Sequence, residues 1–370
     1  MSTPGRSQAL IPQRAARSAQ GRPVSDETEA LQAALTALLP RLLPGCHGVD
    51  GLQRLSAGAT LQTWAFDAVG AGAPQPLILR RSPGGLRGAE SLALADEAAL
   101  LRALAAVSPA LRPVLAEVLH VATPADGLGD GFLMRRVAGE TIPRKIQRDE
   151  AFAAARPRLV AHLGAALAAI HHADPASLPS LPQRGLQATL DRLAARCATL
   201  SRPNPVFAHA LRWLQQHRPD PAQERLALVH GDYRLGNVIV DGRGLAAVLD
   251  WEIAHLGDPA EDLAWICLPP WRFGRIELPA AGLGTREQLF AAYQAAGGGP
   301  VDPARVRWWQ AAGSLRWGLG CAGMREWFDS GRDPSVERAM IARRVSENEI
   351  DLLRLIAPRR AAQAFWPETA

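Results

Sequence analysis

The chain has 370 residues, 48% hydrophobic and 21% charged, a globular composition with room for one large or two coupled domains and unlike that of a disordered chain. Its formal charge is +5 and Lys145 is the single lysine, so nearly all positive charge is arginine; a GC-rich genome and a preference for anionic ligands both account for that bias. Cys46, Cys197, Cys267 and Cys321 lie far apart with no CxxC pair, which excludes a zinc ribbon and argues against a disulfide framework, and no apolar run reaches membrane-spanning length, so a cytoplasmic protein with no membrane partner is expected.

The first two dozen residues hold Arg6, Arg14, Arg17 and Arg22, with no acid before Asp26 and no hydrophobic stretch. A secretory signal is excluded for want of an apolar core segment. A disordered tail over 1–24 is expected, with a transit peptide as the alternative. Ser25-Asp26 reads as a helix N-cap before an amphipathic run through Leu43, which Pro44-Gly45 ends. Leu52–Leu55, Leu61–Val69 and Leu77–Arg80 follow as short strands separated by Ser56–Thr60 and the Gly/Pro-rich turn Gly70–Pro76, and Pro83-Gly84-Gly85 closes an antiparallel meander. Residues 90–107 have helical spacing in Leu94, Ala98, Leu101 and Ala105. A further strand pair brackets the turn at Asp126–Gly131.

After Gly139 the pattern is helical, over 149–172, 186–198, 205–217, 285–295, 303–328 and 334–356, with one β-rich island at 226–250. The expected fold is α+β in two lobes. A small antiparallel-sheet N-lobe spans 25–137, a larger, mainly helical C-lobe spans 138–358, and 359–370 is a loose end.

The β-rich island carries the chemistry. Leu226–Val229 delivers His230-Gly231-Asp232, and Asn237–Val240 and Leu245–Leu249 flank the loop Asp241–Gly244 as a hairpin. With a symmetric four-residue loop, Asn237 lies opposite Val248, and alternation puts Asp250 on the same face. Diagonal neighbours of that kind are about 7–8 Å apart, which one Mg²⁺ can bridge. The spacing therefore makes Asn237 and Asp250 metal ligands and Asp232 the base for a hydroxyl attacking a phosphoryl group.

These residues resemble the aminoglycoside phosphotransferase and choline kinase group, whose fold is protein-kinase-like. His230/Asp232/Asn237 match its H-x-D-x4-N catalytic loop, Asp250-Trp251-Glu252 its metal loop, and Gly257–Ala264 its GDPxxDLA segment. The resemblance covers roughly 50–355. It implies an ATP- and Mg²⁺-dependent small-molecule kinase with Asp232 and His230 in the catalytic set. Glu252, Asp258 and Asp262 would support the site, the last two by bracing the catalytic loop. It also implies a phosphate loop at Ser56–Thr60, with Ser56, Gly58 and Thr60 as contacts. Arg80 stands where the family's strand lysine is expected, with Arg81 as the competing candidate; the two point to opposite faces of the strand. Glu97 is the partner acid, and a hinge near Met134 and Arg136 would meet adenine.

One of the adjacent His171 and His172 reads as a packed structural residue, and His255, near the metal loop, reads equally as a substrate contact or as loop packing. Trp308, Trp309, Trp317 and Trp327 read as core by default, with a groove wall for a flat or acyl substrate as the sharper reading. For the acceptor, LILRRSPGG, VHGDYRLGNVIVD, VLDWEIAHLGDPAEDLAW, Trp271–Gly274 and Leu315-Arg316-Trp317 resemble the branch that includes the kinase domain fused to some acyl-CoA dehydrogenases and stand-alone hydroxyacyl-CoA kinases. That branch implies a 4-hydroxyacyl-CoA or similar anionic acceptor, held by Trp271, Arg272, Arg316 and Trp317, and no nucleic-acid partner. Kinases of aminoglycoside- or choline-type alcohols and a nucleotide-binding pseudokinase are the alternatives.

Overall fold

A computed structural model of the protein describes residues 24–55, 61–82 and 90–357. The tail expected over 1–24 (Val24 apart), the Ser56–Thr60 phosphate loop with Ser56, Gly58 and Thr60, the Pro83-Gly84-Gly85 turn and the end from Pro358 lie outside the described residues. Those residues form two compact units. One comprises the residues up to 82 and Val118–Arg136; the other comprises Glu90–Glu117 and the residues from Val137 onward.

The first unit is an antiparallel sheet with a helix on one face. Helix α1 (Val24–Leu42) precedes β1 (Cys46–Arg54), β2 (Gln62–Gly70), β3 (Gln75–Ser82), and, after an excursion into the second unit, β4 (Val118–Val121) and β5 (Asp130–Arg135). The sheet order is β1-β2-β3-β5-β4. Leu31, Leu35, Leu38 and Leu39 recur at helical spacing and pack on Trp64, Phe66 and Ala68 of β2, Leu77 and Leu79 of β3 and Leu133 of β5. The period-2 alternation of the strands therefore assigns this face to α1. The turn between β4 and β5 is closed by a capping box in which Thr123 and Asp126 satisfy each other's backbone groups.

The second unit is mainly helical. It contains α2 (Leu94–Val107), α3 (Pro143–Arg148), α4 (Arg156–His171), α5 (Leu186–Ala198), α6 (Pro205–Gln216), α7 (Ala260–Trp265), α8 (Arg286–Ala295), α9 (Pro303–Asp329), α10 (Val336–Ala342) and α11 (Val345–Ile356). Two small antiparallel ribbons are set among them, β6 (Ala227–Val229) with β9 (His255–Gly257), and β7 (Val238–Asp241) with β8 (Gly244–Val248). The helix expected over 149–172 begins only at Arg156, and that expected over 334–356 is two helices broken at Arg343-Arg344. The segment carrying α2, expected with the sheet, is held within this unit by Leu92 N–H on the Glu252 carbonyl (2.6 Å) and Arg184 Nη2 on the Glu90 carbonyl (2.7 Å). The expected α+β fold, a small antiparallel sheet and a larger helical part, is the one observed. Among the described residues no helix is long and apolar enough to cross a membrane.

Leu35 is fully buried between α1 and the sheet. Leu35→Ala is expected to destabilise the first unit by about 3 kcal/mol, the usual cost of a core cavity, measured as a lower denaturation midpoint.

Candidate active site

Strand β6 ends at Val229 and the next three residues leave it as a tight loop. Gly231 takes φ +82°, and a Cβ there would lie 2.9 Å from the Ile253 carbonyl oxygen, so both conformation and space require glycine. The loop is held by a single carboxylate. Asp262, in the first turn of α7 and fully buried, accepts the backbone N–H of His230 (2.8 Å, Oδ2) and of Gly231 (2.9 Å, Oδ1). His171 Nε2 bonds the same carboxylate at 3.2 Å, and its Nδ1 meets the Tyr293 hydroxyl at 3.0 Å. Burial alone would raise the Asp262 pKa; the hydrogen bond and charge of His171, with those of His230, outweigh it and hold the group below the usual carboxylate value.

Arg316, from α9, donates to the Gly231 carbonyl (2.6 Å) and to Glu261 (3.0 Å) while stacking 3.8 Å above the Trp265 ring. Glu261 is buried as well. Burial pushes its pKa up, His255 and Arg316 pull it down further, and it too lies below the usual range.

Asp232 is thereby presented with three side-chain donors around its carboxylate. Trp265 Nε1 bonds Oδ1 at 2.7 Å and Asn237 Nδ2 bonds Oδ2 at 2.7 Å, while Arg234 Nε reaches both oxygens, at 3.0 and 3.2 Å. With its amide nitrogen committed to Asp232, Asn237 has Oδ1 left as its side-chain acceptor, the atom type a hard cation requires. Trp265 and Arg234 were not singled out from the sequence, although both had a signal there. Trp265 follows Asp262 by three residues, one helical turn, and Arg234 follows Asp232 by two.

The hairpin differs in register from the symmetric one expected. Val238, not Asn237, pairs with Val248, and an irregularity between Ile239 and Val240 leaves a tight loop of Gly242-Arg243. Asn237 faces Leu249 instead, whose N–H donates to the Asn237 carbonyl at 2.8 Å. Asp250 is then placed by a backbone turn rather than by strand alternation, since its φ is +65°, a left-handed conformation that aspartate tolerates better than most residues. The turn is anchored on both sides. His230 Nε2 bonds the Leu249 carbonyl (2.9 Å) and Trp251 Nε1 donates to the Val248 carbonyl (3.2 Å).

Other expected site residues separate by environment. His230 is fully buried; its Nε2 serves Leu249 and its Nδ1 accepts the Asp232 N–H at 3.2 Å, so it braces the loop and is removed from the catalytic set. Asp258 does not touch the catalytic loop. It accepts from the Ala260 N–H, Trp309 Nε1 and Arg305 Nε, and so ties the start of α7 to α9. Glu252 offers its carbonyl to Leu92, as above. The Arg316 guanidinium is occupied by Gly231, Glu261 and Trp265, and that of Arg272 by the carbonyls of Cys267 and Ile276, so both brace backbone rather than facing an acceptor. Trp271 and Trp317 meet with tilted rings, centroids 5.0 Å apart, and Trp271 lies 5.5 Å from Trp265, an aromatic group running away from Asp232. The expected late-helix tryptophan cluster is not one cluster: Trp308 and Trp309 are core, and Trp327 lies under Arg332 and Arg338.

In the first unit, Leu77 and Leu79 face α1, and Arg81 shares their side, with Nη2 4.0 Å from Glu27. Arg80 therefore points to the other face of the sheet, opposite Thr63 and Phe132 in the register. Met134 is in β5, opposite Ile78, and Arg136 pairs with Asp67 at 2.7 Å. In the second unit Glu97 is 1% exposed, which rules out a surface helix acid.

Replacing Asp262 tests the brace. Asp262→Asn puts an amide where two backbone N–H groups and His171 need an acceptor, and is expected to cost about 3 kcal/mol. The wild-type advantage is complete above the ordinary aspartate value of 3.8 and is lost as pH falls through the lower folded value. Denaturation midpoints of both proteins from pH 7 downward should therefore converge in acid.

The model of the phosphotransferase enzyme family matches residues 51–309. Acyl-CoA dehydrogenase family member 10 of Mus musculus is 29% identical over 264 residues, which are 67% of this chain and 23% of the mouse protein, so the chain spans about a quarter of that relative's length. Among solved structures, a candidate aminoglycoside phosphotransferase of Ralstonia eutropha JMP134 aligns with a TM-score of 0.69 and 20% identity over 88% of this chain and 97% of its own. A thermostable mutant of aminoglycoside phosphotransferase APH(4)-Ia, in ternary complex with AMP-PNP and hygromycin B, aligns with a TM-score of 0.56 and 19% identity over 86% and 98%. At these identities the structures establish the two-lobed, protein-kinase-like fold, and the family model, which matches well over half of the chain, establishes the kinship: the chain belongs to the phosphotransferase enzyme family.

Proposed function

We propose that the protein is an ATP- and Mg²⁺-dependent kinase that moves the γ-phosphoryl group to a substrate hydroxyl, with Asp232 as the base and Asn237 and Asp250 as the metal ligands. The observation that carries this is the Asp232 carboxylate, clamped by Trp265, Arg234 and Asn237 at the end of a strand whose loop is itself fixed by a buried acid. Such a carboxylate is oriented in advance of substrate, which is what a positioned general base requires.

The donor set suits Mg²⁺ rather than a resident metal. Asn237 Oδ1 and the Asp250 carboxylate supply two oxygens, and among the described residues no group of three or more His, Cys, Asp or Glu forms a protein-only cage. Mg²⁺ is commonly held by one or two such ligands together with substrate phosphates. When bound, the ion neutralises charge on the phosphates; the protein's part is to orient the acceptor hydroxyl and take its proton at the Asp232 carboxylate. In the first unit Arg80 and the Met134–Arg136 segment are proposed to contact nucleotide. The APH(4)-Ia complex with AMP-PNP supports a nucleoside triphosphate as donor.

For the acceptor we favour a 4-hydroxyacyl-CoA or a similar anionic, acyl-bearing alcohol. The similarity to acyl-CoA dehydrogenase family member 10 supports it.

A panel of 4-hydroxyacyl-CoAs, free 4-hydroxy acids, choline and kanamycin with Mg-ATP tests the reading. Phosphorylation of a thioester is expected; none on any thioester removes that acceptor, and nucleotide binding without turnover on any alcohol removes the kinase. Asp232→Asn is expected to lower kcat/KM by about 10³-fold, within the range of general-base losses, while sparing ATP binding. Trp265→Phe keeps the ring and removes one hydrogen bond to the base, and should lower kcat about tenfold at unchanged KM for ATP.

A further inference from the structure

Arg234 and Arg316 lie over Trp271 and Trp265, and Arg272 follows Trp271 in the chain; the last two are spent on backbone. Arg316 and Arg272 hold carbonyls as described. Arg234 differs. Only its Nε is used, on Asp232, and its Nη1 and Nη2 donate to no other described residue. Its side chain is 24% exposed and its guanidinium lies 4.8 Å over the Trp271 ring, which is tilted against Trp317.

Gly236 makes this seat possible. A Cβ at 236 would overlap Nη1 of Arg234, with Pro143 closing the same space at 3.8 Å. The segment from His230 to Asn237 thus places a cation beside Asp232 and leaves two donor groups unused. They belong to the aromatic flank, where Trp265 holds Oδ1, whereas Asn237 holds Oδ2.

We propose that Arg234 is an acceptor-selecting residue. Its Nη groups engage a carbonyl or carboxylate oxygen placed near the reacting hydroxyl. The same charge rejects acceptors with an ammonium at that position. A planar fork fixed by stacking suits a paired-oxygen ligand better than a flexible ammonium would. This rests on the kinase reading above, and gives it a substrate class: alcohols with an acyl or carboxylate oxygen close by and no nearby positive charge.

The test uses the full chain with Mg-ATP and three acceptors: a 4-hydroxyacyl-CoA, the matching free 4-hydroxy acid, and choline. Arg234→Met is expected to raise KM for whichever oxygen-bearing acceptor the wild type uses by about 10- to 100-fold, the loss of charge-assisted hydrogen bonds, with KM for ATP unchanged and the preference against choline reduced. The thioester and free-acid arms show which oxygen is read. Arg234→Lys keeps the charge but not the fork, so it should retain the bias against choline without restoring acceptor KM. Gly236→Ala displaces only the far end of a flexible side chain; it should fold, as a wild-type thermal melt would show, and raise acceptor KM in the same direction. An equal fall in kcat for all acceptors at unchanged KM would overturn the proposal, because Arg234 would then serve the base or the phosphoryl group alone. Unchanged parameters in Arg234→Met overturn it too, and leave the kinase standing. A wild type that phosphorylates no alcohol overturns both.

Discussion

A single buried carboxylate organises the candidate site. Asp262 has no access to water, and its charge is tolerated because two backbone N–H groups and an imidazole satisfy it. Those two N–H groups belong to His230 and Gly231, the residues immediately before Asp232. The loop is therefore tied to the first turn of α7, and through His171 and Tyr293 to α4 and α8. An acid in this position is costly to bury and costly to leave half-satisfied, so its partners are held as firmly as it is.

From that anchor the remaining geometry follows in short steps. The turn of α7 that carries Asp262 also carries Trp265, whose indole fixes one oxygen of Asp232. The other oxygen is fixed by Asn237, the residue that leads into the β7–β8 hairpin. His230 closes the circuit by reaching the Leu249 carbonyl beside Asp250. Asp232, Asn237 and the turn that carries Asp250 thus share one hydrogen-bonded frame. Side chains that present no group to a substrate, among them His230, Asp262 and Arg316, are what hold that frame in register.

Much of this was legible in the residues. The H-x-D-x4-N spacing put Asp232 in the loop that feeds the strand of Asn237, and the structure joins the two by a hydrogen bond. Asp262 was expected to brace the loop and does so. The alternation of β3 required Arg80 and Arg81 to diverge, and Glu27 shows which faces α1. Three readings went the other way for identifiable reasons. The hairpin was taken as symmetric, and an irregularity invisible in composition moved the register by one residue. His230 was placed in the catalytic set because it belongs to the motif, although both of its nitrogens serve backbone. Asp258 was expected to share the role of Asp262, but it lies four residues earlier, before the helix begins, and so faces α9.

By itself the sequence determined most of the elements and the motif. Periodicity, turn residues and the spacing of His230, Asp232, Asn237 and Asp250 are local properties, set by neighbours within a few positions. Only the tertiary structure decided which arginines and tryptophans stand at Asp232. Arg316 is consumed by a loop carbonyl 85 residues away, Arg272 by its own loop, and Arg234 keeps two donors because glycine at 236 leaves room for them. What a guanidinium touches depends on segments that meet only on folding, and no local pattern along the chain encodes that meeting.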